Sequence, residues 1–134
     1  MSLPPLTIAY WCVLIAALLP YCWVALAKAS VPRYDNRDPR GWIARQDHPR
    51  LRRAYNAHLN ALEAFAPFAA GVVLSQLAGV AHARIAMLAV AFVVLRLLHG
   101  IAYVADVAWL RSLAWFAALG CVVALIAQAA LSIA

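Results

Sequence analysis

The chain has 134 residues, of which 67% are hydrophobic and only 12% charged. Soluble domains carry about 45–50% apolar and about 25% charged residues, so this composition excludes an ordinary soluble fold and indicates an integral membrane protein. The formal net charge of +6 would suggest nucleic acid in a soluble chain, but eight of the eleven Lys and Arg fall between Lys28 and Arg53. Such a block is read as a topology-setting loop touching anionic membrane lipids, with no nucleic-acid partner.

Apolar runs at about residues 6–27, 54–80, 85–105 and 113–134 predict four transmembrane helices in a single domain over 1–134. Each run supplies about 20 residues, enough to cross a hydrocarbon core of roughly 30 Å. The expected fold class is therefore all-α, an integral membrane four-helix bundle. The positive-inside rule puts loop 28–53 in the cytoplasm and both termini on the other side. In the first run Ala25-Leu26-Ala27 resembles a signal-peptide cleavage site. The start MSLPPLT has no basic region and the run is too long, so a retained helix is expected. Tyr10 and Trp11 near one end, with Tyr21 and Trp23 near the other, are placed as interfacial anchors.

In the loop, Pro32, Pro39 and Pro49 prevent one continuous helix, and Asn36-Arg37-Asp38-Pro39 reads as a turn. Trp42 and Ile43 are positioned to dip into the headgroup region, and the remainder reads as a solvated tether. The second helix opens with Arg53, Asn56, Asn60, Glu63 and Pro67 at steps of three and four, which places them on one face. Glu63 is the only acidic residue inside an apolar run. A carboxyl there costs roughly 2.5–3.5 kcal/mol on insertion scales and marks either function or a bond to a neighbouring helix. Further on, Gly71, Ser75 and Gly79 form a ridge of small residues suited to close helix contact.

The third helix ends with a second polar stripe, Arg96, His99, Tyr103 and Asp106. The fourth begins near Arg111-Ser112, with Gln128 as its strongly polar interior residue. Cys12, Cys22 and Cys121 lie in apolar runs without a CxxC spacing and read as small hydrophobes, with no metal site.

The two stripes coincide in depth. Glu63 and Arg96 each lie about 15 Å from the cytoplasmic end at 1.5 Å per residue. Asn60 then levels with His99, and Asn56 with Tyr103. Buried charges require partners, so Glu63 is expected to pair with Arg96. Arg111 and Ser112 open the fourth helix at the mouth of the same polar pocket. An Arg beside a hydroxyl can stabilise an anion such as a thiolate. Two other readings fit less well. Haem between His58 and His99 would use a histidine lying off the main polar face. A Ser112/His99/Asp106 hydrolase would lack a nucleophile elbow.

The pattern Arg53…Asn60-Ala61-Leu62-Glu63, then Pro67-Phe68, resembles helix two of the membrane-associated proteins in eicosanoid and glutathione metabolism, the MAPEG family. Arg96-Leu-Leu-His99-Gly-Ile-Ala-Tyr103, then Arg111-Ser112, resembles helices three and four of its microsomal prostaglandin E synthase branch. Asn36-Arg37-Asp38-Pro39-Arg40 is similar to the bacterial members, which implies a bacterial inner membrane and periplasmic termini. The resemblance implies a homotrimer with glutathione, as co-substrate, between neighbouring subunits. It implies catalytic roles for Arg111 and Ser112, with Arg111 stabilising the thiolate. It implies binding roles for Arg53, Asn56, Asn60, Glu63, Arg96, His99 and Tyr103. The implied activity is a glutathione-dependent transferase or peroxidase acting on lipophilic electrophiles that arrive from the bilayer. The alternative is a non-enzymatic MAPEG-like protein that binds a lipid or small anion, its polar stripe serving assembly. Catalytic members usually carry Arg where Asn56 stands, and the prostaglandin branch carries another at the position of Leu59.

Overall fold

A computed structural model describes residues 3–134, and among them every regular element is helical. Met1 and Ser2, at the head of the segment read above as lacking a basic region, lie outside the described residues. Four helices are long and apolar enough to cross a membrane: α1 (Pro5–Ala29), α3 (Pro49–Leu77), α4 (His82–Val104) and α5 (Ala108–Ser132). A short helix, α2 (Pro39–Ala44), interrupts the basic loop.

Two helix starts, those of α2 and α3, follow local capping chemistry more closely than hydrophobicity. α3 begins at Pro49, ahead of the apolar run that opens at Ala54, because His48 caps it. The His48 Nδ1 accepts from the Leu51 N–H at 3.3 Å, and proline at the first helical position has no N–H to satisfy. The charged first turn therefore projects beyond the apolar part of the helix. α2 starts in the same way. Asp38 accepts from the Gly41 N–H at 3.0 Å, ahead of Pro39. A Cβ on Gly41 would overlap that carboxylate, which is why glycine stands there.

Most of the loop is exposed, as a solvated tether would be, but one part packs on the bundle. Trp42 and Ile43 are buried and pack with Ala27, Leu51 and Ala54 on the end of the bundle. Tyr34 meets Trp42 edge-on at 5.2 Å, and Lys28 lies over the Tyr34 ring at 4.6 Å. Two large apolar side chains gain more by covering the helix ends than by lying among headgroups.

α3 and α4 form the centre of the bundle, and each packs against both α1 and α5. Phe68 of α3 stacks on Phe92 of α4 at 3.9 Å between centroids, 8° from parallel. Small side chains surround this pair: Ala9, Cys12 and Ala16 from α1, Ala89 from α4, Ala118 and Cys121 from α5. Lipid chains are as apolar as the core, so close approach between small residues supplies much of the attraction here. Gly71 faces Leu125, and Ser75 donates to the Leu125 carbonyl oxygen at 2.8 Å, which locks α3 to α5. Gly79 does not extend that ridge. It lies past the end of α3 with φ of +74°, a left-handed turn conformation that favours glycine. At the same end of the bundle, Tyr10 donates to Gln76 and ties α1 to α3.

Candidate functional site

The polar stripe of α3 shares one face, and that face turns away from the packed core. Ala54, Ala57, Ala61, Phe68 and Val72 are buried. Glu63 follows Ala61 by two residues, about 200° around the helix, and is exposed on the single chain. Asn60 lies between these faces and is half-buried. On α4 the phase is the opposite. Arg96 and His99 are only 3% and 2% exposed and point into the bundle.

The expected Glu63–Arg96 ion pair is not formed. Arg96 donates to the Asn60 Oδ1 at 2.9 Å. The Phe68–Phe92 stack sets the helix register. From that register the Arg96 side chain reaches toward the loop end of the bundle, the direction in which a long cationic side chain approaches the interface. The Asn60 amide meets it there, whereas Glu63 points outward.

Two adjoining chambers open between α3, α4 and α5. The first, about 180 Å³, is lined by Asn60, Glu63 and Pro67, by Phe92 and Arg96, and by Trp115, Ala118, Leu119 and Val122. It is largely apolar, with a carboxylate and a guanidinium on its wall. The second, about 230 Å³, is lined by Asn60, His99, Tyr103, Arg111, Ser112, Trp115 and Phe116. It is largely polar. Asn60 and Trp115 belong to both and form their shared edge. The Arg111 guanidinium lies 4.8 Å over the Tyr103 ring. Tyr103 meets His99 edge-on at 5.6 Å, and the His99 Nδ1 is buried without a hydrogen-bond partner.

The structure thus gathers Asn60, Glu63, Arg96, His99, Tyr103, Arg111 and Ser112 around one groove. It leaves Arg53 and Asn56 outside. Arg53 is occupied at the α4–α5 turn, donating to the Val104 carbonyl at 3.2 Å and pairing with Asp106 at 3.3 Å. Asp106 there has φ of +63°, and Arg53 holds the turn on the start of α3. Asn56 is exposed and lines neither chamber. Asp106 is therefore unavailable to His99, and no Ser112/His99/Asp106 triad assembles. The haem reading fails as well. His58 Nδ1 donates to the Pro20 carbonyl of α1 at 2.8 Å, whereas His99 lines the groove between α3 and α5. Among the described residues no three His, Cys, Asp or Glu side chains converge on a possible metal position.

The apolar chamber did not emerge from reading the polar stripes. Its signal was nevertheless present on α5, where Ser112, Trp115, Ala118, Leu119 and Val122 continue one face at steps of three and four. Chemically, the polar chamber offers a guanidinium, a hydroxyl and an amide to an anion. The adjoining chamber offers hydrocarbon and aromatic surface to an apolar reactant. The MAPEG family model matches residues 8–131, nearly the whole chain. No curated protein and no solved structure matches it.

Proposed function

Because the chain belongs to the MAPEG family, we propose that it is a glutathione-dependent membrane transferase or peroxidase for lipophilic electrophiles. One observation carries this reading: a cationic, hydroxyl-bearing chamber and an apolar chamber share an edge at Asn60 and Trp115. A soluble thiol and a membrane-dissolved acceptor would meet there. The donor set suits a tripeptide thiol in kind. Arg111 and Ser112 would hold and stabilise the thiolate sulfur. The tripeptide would cross the shared edge: Glu63 would take its ammonium group, and Arg96, held by Asn60, would face a carboxylate, both from the polar wall of the otherwise apolar chamber. His99 and Tyr103 would complete the wall. The acceptor's electrophilic carbon, or the distal oxygen of a hydroperoxide, would lie across the shared edge against Phe92 and Trp115. Sulfur forms the new bond as the leaving group, or the alkoxide, departs with the pair of the bond that breaks.

The assembly that fits is a homotrimer in which the exposed α3 face bearing Asn56 and Glu63 meets a neighbouring subunit. A carboxyl facing hydrocarbon would cost several kcal/mol, so covering this face with a neighbouring subunit, around the ammonium group that Glu63 takes, is favoured. The location that fits is a bacterial inner membrane, with the basic loop cytoplasmic.

The test is glutathione titration of the detergent-purified protein, with thiolate formation followed by ultraviolet difference absorption in wild type and Arg111→Ala. Wild type should show saturable thiolate absorbance, and the variant should bind without it. No thiolate signal from wild type at millimolar glutathione would sink the enzyme reading. An equal signal from the variant would remove Arg111 from its role.

A further inference from the structure

A separate groove of about 480 Å³ opens at the loop end of the bundle along the seam of α1 and α4, and it shares no residue with the two chambers. Its walls are Trp23 and Leu26 of α1, Arg50 from the first turn of α3, and Ile101, Val104 and Ala105 at the end of α4. We infer that this groove seats one anionic phospholipid, its phosphate on Arg50 and an acyl chain along α4.

Charge is the first ground. The neighbouring cations Arg45, Arg52 and Arg53 are each engaged by an acid, at 3.1, 3.1 and 3.3 Å. Arg50 is exposed and, among the described residues, has no carboxylate within ion-pair distance. No acidic residue lines the groove. A headgroup with net negative charge is therefore favoured over a zwitterionic one. Arg50 also lies in the first turn of α3, where the helix dipole adds to the attraction for phosphate.

Shape is the second ground. The Trp23 indole lies against Gly100 so closely that a Cβ there would overlap the ring, which fixes the groove wall. Trp23 is 9% exposed, whereas Ile101 is 52% exposed. From Ile101 an apolar track continues through Leu97, Val94 and Val90, all exposed, on one face of α4. Its length is about 16 Å at 1.5 Å per residue, close to one leaflet's share of a hydrocarbon core roughly 30 Å thick. A cation and a tryptophan lining one groove at the end of an apolar track match the boundary where phosphate and acyl chain separate. This site does not depend on the thiol chemistry proposed for the other groove.

The experiment is native mass spectrometry of the full chain in detergent, titrated with phosphatidylglycerol and phosphatidylcholine of matched acyl chains. Wild type should retain the anionic lipid about fivefold more strongly, the factor expected for one basic residue at a headgroup. Arg50→Gln should abolish the preference, and Arg40→Gln on the exposed face of α2 should preserve it. Ile101→Trp, which fills the groove from an exposed position, should remove adducts of both lipids. Thermal unfolding of each variant in detergent should match wild type. Equal retention of both lipids by wild type, or a preference that survives Arg50→Gln, would overturn the assignment. Displacement of bound lipid by millimolar inorganic phosphate would do the same, since the ligand would then be a soluble anion. So would the absence of lipid adducts on chains whose groove is covered by a second copy.

Discussion

Arg111, Glu63 and Asn60 differ in what their removal should cost. Arg111 faces the polar chamber over the Tyr103 ring. If it stabilises charge on sulfur, Arg111→Ala should lower turnover by about 10²–10³-fold, as loss of one preorganised donor to developing charge does elsewhere. Steady-state conjugation or peroxide-reduction assays check this. Glu63 lines the apolar chamber without forming an ion pair in the single chain. If it takes the ammonium group of glutathione, Glu63→Gln should raise the KM for glutathione by roughly ten- to a hundredfold, the worth of a hydrogen bond to a charged group, and leave kcat near wild type. Asn60 is the hydrogen-bond acceptor of a guanidinium that is 3% exposed. Asn60→Ala should therefore destabilise the fold by about 1–3 kcal/mol as well as weaken binding. Thermal unfolding in detergent separates that effect from those of the other two variants.

At the scale of elements, the groove lies on the loop side of a point where α3 and α5 are held in close contact. Ser75 and Gly71 make the close contact with Leu125. Ser75→Ala should cost about 0.6 kcal/mol, the average of such interhelical bonds in a membrane protein. Gly71→Leu should do more damage, since even a Cβ at Gly71 would lie 3.1 Å from the Leu125 Cβ. Pushing α5 outward there should lower the unfolding temperature and widen the apolar chamber, with loss of selectivity among acceptors of different size. The small-residue spacing of the ridge was visible in the sequence. That Gly79 leaves it to make a turn was not, because a repeat of four says nothing about where the helix stops.

For the whole molecule, the outward stripe on α3 is the feature that the single chain does not satisfy. Glu63 and Asn56 are exposed, yet they belong to a helix that crosses the apolar layer. If this face meets a second subunit, Asn56→Trp should shift the detergent-solubilised protein from the mass of three chains toward one. Val94→Trp, at an exposed position on α4, should leave the mass unchanged. Native mass spectrometry or light scattering reads both.

Hydrophobic run length and the placement of charge were enough to establish four membrane-crossing helices, because a bilayer demands about 20 apolar residues per crossing regardless of tertiary context. Steps of three and four were enough to group the polar residues by face. Only the tertiary structure decided what each face meets. Helical periodicity fixes relative phase within a helix but not its rotation in the bundle, so Glu63 turned outward while Arg96 turned in. A depth count ignores the reach of a long side chain, so Arg96 bonded Asn60 instead of Glu63. Arg53 was drawn off to the α4–α5 turn by Asp106, and Trp42 and Ile43 were drawn onto the helix ends by burial. The adjoining polar and apolar chambers required three helices to be placed at once, since the face of each helix supplies only part of the lining and the space between them is a property of their packing.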